Sequence, residues 1–123
     1  MQAGTRAPAV KRYNEKQIIY GMHFVKALKS SDLPEGQVRK VKLEGREFAL
    51  VRKDGLFYCI DGVCTHEGGP LGEGVLVDGW LECPWHQGHF DYKTGNTDPE
   101  TDWVTPVKAY RTRTEDGYVY VEI

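Results

Sequence analysis

Short runs of β-branched and aromatic residues alternate with turn residues along most of the chain. Runs of this kind, bounded by glycine and aspartate, are typical of β-strands. The predicted strands are His23–Ala27, Val38–Leu43, Glu47–Arg52, Leu56–Ile60, Trp80–Cys83, Val107–Arg113 and Tyr118–Ile123. No helix of ordinary length is predicted, although Lys26–Leu33 could form a single turn.

Aspartate–glycine pairs separate several of these runs, at positions 54–55, 61–62, 78–79 and 116–117. Such pairs are favoured in tight hairpin turns because both turn residues need a positive φ. Short hairpin links make consecutive strands antiparallel neighbours. The pattern therefore predicts an all-β fold, a small antiparallel sandwich or barrel.

Length and composition fit one folded domain, with 123 residues of which 40% are hydrophobic and 28% charged. We expect an N-terminal extension over residues 1–20 and the domain over residues 21–123. No apolar run is long enough to span a membrane, and the start of the chain lacks the apolar segment of a secretory signal. The expected protein is cytoplasmic and has no membrane segment.

The formal net charge of −2 divides into +3 over residues 1–17 and −5 over the remainder. A mildly acidic body disfavours nucleic acid as the main partner. It suits docking against a basic patch on another protein. We expect the chain itself to be a monomer.

Two loop-like segments interrupt the strand pattern, residues 61–75 and residues 83–96, and the first of them is rich in glycine. Long loops inside a compact β domain are uncommon unless they carry function. The first contains the sequence Cys64-Thr65-His66, and the second contains Cys83-Pro84-Trp85-His86. Each loop therefore supplies one thiol and one imidazole to a candidate metal site.

Three kinds of site are compatible with these four side chains. Three cysteines are too few for a disulfide framework, so metal binding or a buried thiol is favoured. Structural zinc usually takes its cysteine pair from one knuckle and its histidine pair from another. Here both loops are mixed, which favours an iron–sulfur centre; a zinc site and a chance placement in the core remain alternatives.

The spacing C-x-H-(x16)-C-x-x-H resembles the signature of Rieske iron–sulfur proteins. The similarity continues through Gly68–Leu71 and residues 83–95, and the strand pattern on both sides is also similar. The resemblance covers about residues 22–123. It implies the Rieske fold, with a cluster-binding subdomain made of the two ligand loops.

By that resemblance the chain binds one [2Fe–2S] cluster. Cys64 and Cys83 would hold the inner iron, and His66 and His86 would hold the outer iron. Neutral imidazoles leave such a cluster less negative than four thiolates would, so it accepts an electron more easily.

The chain departs from the Rieske subunits of respiratory cytochrome complexes at four positions. Gly69 and Trp85 stand where those proteins carry a disulfide-forming cysteine pair. Gly88 and Phe90 stand where those proteins carry a serine and a tyrosine that donate hydrogen bonds to cluster sulfurs. Fewer hydrogen bonds leave the reduced state less stabilised, so the expected potential lies at the low end of the Rieske range, roughly −150 mV. In this respect the chain resembles the ferredoxins of bacterial ring-hydroxylating oxygenase systems.

The role implied by the resemblance is that of an electron carrier and not an enzyme. It would pass one electron from a flavin or iron–sulfur reductase to a terminal oxygenase; a small subunit of a nitrite reductase-like complex is the alternative. An oxygenase would need a second iron site, yet 37 residues follow His86 and only His23 and His89 remain as further histidines. Docking would use the surface around the ligand histidines, with Glu67, Gly68, Pro70, Trp85 and Gln87 nearby.

Glycines in the loops have an expected role at the cluster, because backbone N–H groups can approach a sulfide closely where no Cβ intervenes. We assign this role to Gly68, Gly69, Gly72 and Gly88.

Five other side chains have expected roles near the site or in the fold. We expect His89 to support the site or lie at the surface, His23 to be structural and Cys59 to be a buried inert thiol. Trp85 is expected to shield the cluster or to dock a partner, and Pro106 to lie in a third loop that caps it.

Overall fold

The computed structural model describes residues 23–123, which form ten short strands and two 3₁₀ turns. The strands are β1 Phe24–Lys29, β2 Val38–Leu43, β3 Arg46–Lys53, β4 Leu56–Asp61, β5 Val75–Val77, β6 Trp80–Glu82, β7 His89–Phe90, β8 Ala109–Tyr110, β9 Thr112–Glu115 and β10 Tyr118–Glu122. The 3₁₀ turns are Ser30–Asp32 and Leu71–Glu73. The N-terminal extension predicted for residues 1–20 lies outside the described residues.

The strands form three antiparallel sheets, in the orders β1-β10-β9, β2-β3-β4-β8 and β5-β6-β7. This arrangement confirms the predicted all-β antiparallel fold. The third sheet is small and carries the second ligand loop between β6 and β7. The first ligand loop leaves the middle sheet at the end of β4.

Strand β3 is buried on both faces, which explains why its sequence is a continuous apolar run. Phe48 and Leu50 point into a core shared with β10, whereas Ala49 and Val51 point into a second core that also contains Cys64 and Cys83. Successive side chains of a strand alternate between faces, so one strand can serve two cores. The middle sheet therefore separates the structural core from the core beneath the two ligand loops.

Most predicted strands are present, and the differences come from long-range pairing. The predicted strand Val107–Arg113 is wrong as a single element, because β8 pairs with β4 whereas β9 pairs with β10. The chain changes sheets at the exposed Arg111 between them. Strand β5 begins at the last residue of the first predicted loop, and β7 forms inside the second. Only Ser30–Asp32 of the predicted turn Lys26–Leu33 is helical.

Three of the four aspartate–glycine pairs form the expected turns. In the pair at 54–55, φ is 55° at Asp54 and 78° at Gly55, and the pairs at 78–79 and 116–117 have similar values. The pair at 61–62 is different: Asp61 ends β4, and a Cβ on Gly62 would lie 2.6 Å from the backbone carbon of Glu47. Gly62 therefore allows the close packing of two backbones and does not form a hairpin turn.

Candidate metal centre

The two ligand loops are closed by equivalent backbone hydrogen bonds. Cys64 donates its N–H to the carbonyl of Gly69 at 2.8 Å, and Cys83 donates to the carbonyl of Gly88 at 2.9 Å. In both loops the acceptor is the fifth residue after the cysteine. Each cysteine therefore lies at the closed base of its loop, and each histidine lies in the exposed part.

The thiols of Cys64 and Cys83 lie together in the core beneath the loops. Their exposed fractions are 3% and 0%, and the two thiols are close enough to interact electrostatically. Burial raises the pKa of the Cys83 thiol to about 11, although the N–H of Trp85, which lies 3.4 Å from its sulfur, acts in the opposite direction. Iron binding needs thiolates, so binding a cluster here would release protons.

The imidazoles of His66 and His86 lie above the thiols, at the exposed tips of the loops. Their ring centroids are 4.9 Å apart, and the rings meet edge to face at 77°. His86 and the following Gln87 both have a positive φ, 68° and 55°. Side chains rarely adopt this conformation, and it is concentrated at functional sites that the surrounding structure holds in place.

A third segment, residues 101–106, contacts both ligand loops. The Thr65 hydroxyl donates to the carbonyl of Thr105 at 2.8 Å and accepts the N–H of the same residue at 2.9 Å. On the second loop, Gly88 faces Val104, because a Cβ on this glycine would lie 2.6 Å from Val104 Cγ1. The structure therefore places Pro106 in a segment beside the site, and it adds Thr65 and Val104, which the sequence motif does not single out.

The predicted close approach of glycines to the cluster is supported by the geometry at Gly69. A Cβ there would lie 2.8 Å from Cys83 Sγ. At Gly72 and Gly88 the missing Cβ instead makes room for the protein itself, because a Cβ there would meet the backbone of Lys40 and the side chain of Val104. Gly68 has open space around it and a φ of 78°, so its role is to form the turn.

His89 supports the second loop, as expected, through contacts with two carboxylates. Its Nε2 lies 3.1 Å from Glu82 Oε1, and its Nδ1 lies 3.5 Å from Asp98 Oδ2. Its ring is nearly parallel to that of Trp80. These contacts connect β6 and β7 to the segment that follows them.

The other three expected side chains have distinct environments. His23 contacts Glu44 at 2.8 Å and pairs through its backbone with Ile123, which fits the expected structural role. Cys59 is buried in the other core, and burial raises the pKa of its thiol to about 12, consistent with an inert side chain. Trp85 is 49% exposed, so it shields the site incompletely and remains available for docking.

The four predicted ligands sort by type, which fits a cluster with one sulfur-ligated and one nitrogen-ligated iron. The two thiols are buried side by side, and the two imidazoles are exposed side by side, although each loop contributes one of each. His₂ in place of Cys₂ on one iron is the distinguishing feature of a Rieske centre. The missing side chain of Gly69 leaves space directly against the Cys83 sulfur.

Charge is strongly polarised between the parts of the fold. Residues 61–105, which contain both ligand loops, carry nine acidic residues and one basic residue, Lys93. Residues 23–60 carry eight basic and five acidic residues. The end of the molecule with the candidate centre is therefore acidic. Within residues 23–123, no helix is long and apolar enough to cross a membrane.

Comparison with known proteins identifies the family. The family model of the Rieske [2Fe–2S] domain matches residues 23–111. The chain is 35% identical over 101 residues to the ferredoxin component of the naphthalene 1,2-dioxygenase/salicylate 5-hydroxylase systems of a Ralstonia species, a match that covers 82% of this chain and 96% of the relative.

Solved structures agree with this assignment. A chain in the complex of reduced oxygenase and oxidized ferredoxin in carbazole 1,9a-dioxygenase is 31% identical, with a TM-score of 0.72 and coverage of 80% of this chain and 91% of that chain. A Mycobacterium tuberculosis chain described as an NADH-dependent nitrite reductase small subunit has the same fold, at 23% identity and a TM-score of 0.72, covering 83% and 96% of the two chains. These relatives confirm the predicted fold and electron-carrier role, and the chain belongs to the Rieske [2Fe–2S] family, whose members carry one electron on a single [2Fe–2S] cluster.

Proposed function

We propose that Cys64, His66, Cys83 and His86 hold the [2Fe–2S] cluster, and that the chain carries one electron from a flavin or iron–sulfur reductase to a terminal oxygenase. The observation that supports this ligand set is the pairing of two buried thiols beneath two exposed imidazoles. When bound, the cluster supplies reversible one-electron chemistry.

In this proposal, different residues hold the cluster, expose it to a partner and fix the loops around it. Cys64 and Cys83 hold the inner side of the centre in a core that excludes water. His66 and His86 present its outer side at the surface, which gives a short path for an electron to a docked partner. The paired hydrogen bonds between Thr65 and Thr105 fix the first loop, so little of the protein has to rearrange when the charge changes.

The docking surface in this proposal, which we call the tip surface, consists of Val63, His66, Trp85, His86 and Trp103. Its three apolar side chains are each between 43% and 49% exposed. Aromatic residues at the centre of an interface supply much of its binding energy, and complementary charge around them steers association. Because the surrounding part of the fold is acidic, we propose that the partner presents a basic rim around an apolar patch.

Electron transfer to the oxygenase component of a naphthalene 1,2-dioxygenase system tests this role. The second-order rate should fall as salt is raised, because screening weakens the attraction between an acidic and a basic surface. Trp85→Ala should lower the rate by about tenfold through the loss of an aromatic contact. Leu56→Ala is the matched control, since Leu56 is 59% exposed at the start of β4, outside the tip surface. A rate independent of salt, or an equal loss in both variants, would contradict the proposed docking.

The nitrite reductase alternative predicted from the sequence has weaker support. The likeness to the small subunit from Mycobacterium tuberculosis, at 23% identity, shows a common fold alone. The 35% identity to a ferredoxin component spans nearly the whole relative, which favours the oxygenase system.

Phe90→Tyr should raise the midpoint potential if residue 90 occupies the position of the hydrogen-bonding tyrosine in respiratory Rieske proteins. Phe90 is fully buried in the same core as Cys64 and Cys83. A hydroxyl that donates to a cluster sulfur favours the reduced state by about 1.5–3 kcal/mol at most, or roughly 65–130 mV for one electron. Potentiometric titration followed by electron paramagnetic resonance (EPR) measures the change.

Phe48→Tyr is the control for this prediction, because Phe48 is equally buried but belongs to the core on the other face of β3. It should lower stability without moving the potential. Gly88→Ser is a poor second test, since its Cβ would press on Val104 Cγ1. An intact cluster in Phe90→Tyr with an unshifted potential would show that the hydroxyl does not reach a sulfur.

A further inference from the structure

Glu67 connects the two ligand loops across their exposed tips. Its Oε1 lies 2.9 Å from Nε2 of His86, although 19 residues separate the two in sequence. Together with His66, the two side chains place three ligand-type atoms within 4.8 Å of one another. The carboxylate thus touches one predicted iron ligand and is the direct neighbour of another.

We propose that Glu67 is a positioning residue that orients His86 and lowers the midpoint potential of the centre. The inference rests on the proposed ligand set, because it requires His86 to bind iron. With its proton on Nε2, His86 donates to the Glu67 carboxylate and keeps Nδ1 free for the metal. Carboxylates that accept a hydrogen bond from a metal-binding histidine fix its tautomer and orientation, and they make it a stronger electron donor.

The expected decrease in midpoint potential follows from the charge of Glu67. Reduction adds one negative charge to the centre, and a carboxylate beside a ligand disfavours that addition. Stronger electron donation from His86 would also stabilise the oxidised iron, so both contributions lower the potential. Among residues 61–105 the one basic residue, Lys93, lies over the Tyr58 ring.

Glu67→Gln tests the proposal, because glutamine keeps the shape and a carbonyl acceptor but removes the charge. The equilibrium constant for reduction should rise by about threefold to tenfold, which is a shift of about 28–59 mV at 59 mV per factor of ten. Both Glu67 and His86 are about half exposed, so the shift should shrink at high salt.

Glu73→Gln is the matched control. Glu73 has an exposed fraction of 57% against 58% for Glu67, and it pairs with Lys40 at 3.0 Å. The substitution therefore removes the same charge from the same acidic region without touching a predicted ligand. Glu67→Asp keeps the charge on a shorter side chain and should restore most of the low potential.

The proposal is overturned if Glu67→Gln moves the potential no further than Glu73→Gln does. It is also overturned if Glu67→Asp behaves like Glu67→Gln at low salt. The Rieske-type EPR spectrum of the unsubstituted protein separates this failure from failure of the proposed function. If that spectrum is absent, the ligand set is wrong; if it is present with an unshifted potential, only the role of Glu67 is wrong.

Discussion

Cys83→Ser should abolish cluster assembly, whereas Cys59→Ala should leave two irons and two sulfides per chain. Both cysteines are buried to 1% exposure or less, but they belong to different cores. Cys83 lies against Cys64 at the base of the loops, so its loss would leave the proposed inner iron with a single thiolate. The loops would also lose their covalent connection through the metal, and metal binding of this kind is coupled to folding.

Iron and acid-labile sulfide analysis, with visible absorption and EPR of the reduced protein, measures the outcome. Cys64→Ser should behave like Cys83→Ser. Cys59→Ala should lower the free energy of unfolding by about 1 kcal/mol, as for an ordinary change in a core. The variant protein should keep the colour of the cluster. A coloured Cys83→Ser protein with a full complement of iron would refute the ligand set. So would one zinc ion per chain in the unsubstituted protein.

Gly95→Ala should cause the largest loss of stability among the glycine substitutions, by about 2–5 kcal/mol. Gly95 has a φ of 84°, and a Cβ there would lie 2.0 Å from the carbonyl oxygen of Val107. The same glycine accepts the N–H of Val107 at 2.9 Å. The added methyl would therefore force apart the backbones of Gly95 and Val107, which join the end of the second ligand loop to the residue after the third segment.

Gly117→Ala separates the two sources of strain in this prediction. Its φ of 82° matches that of Gly95, but a Cβ there would meet nothing within 4 Å. It should cost about 1–2 kcal/mol from the backbone conformation alone. Denaturant unfolding of the cluster-loaded proteins, followed by tryptophan fluorescence, compares them. Equal denaturation midpoints for the two variants would show that the close contact of Gly95 with Val107 adds nothing to the loss of stability.

The hairpins and the candidate ligands could be predicted from the sequence because both depend on neighbouring residues. The turns at 54–55, 78–79 and 116–117 form as expected, since positive φ is a local demand that aspartate and glycine meet. Strand β2 has its predicted limits, Val38–Leu43. The mixed cysteine and histidine motif likewise lies within two short segments, and the structure pairs the two thiols with each other and the two imidazoles with each other.

Other features required knowledge of which segments lie side by side. Arg111 breaks a continuous β-like run because the strands on either side of it pair in different sheets. Gly72 and Gly88 resemble turn glycines in sequence, but their partners are Lys40 and Val104, each at least 16 residues away. No local sequence pattern indicates such a close contact between distant segments.

The sequence by itself determined the secondary-structure class, the candidate ligand types and the excess of acidic residues around them, since composition and local pattern are sufficient for these. The tertiary structure decided how the donors sort, with both thiols buried and both imidazoles exposed. It also decided that Glu67 reaches His86 across the tip, a contact between two loops that both pack against residues 101–106. Local preferences depend on residues that are neighbours in sequence, whereas the charge next to a predicted ligand depends on which loops pack side by side in the fold.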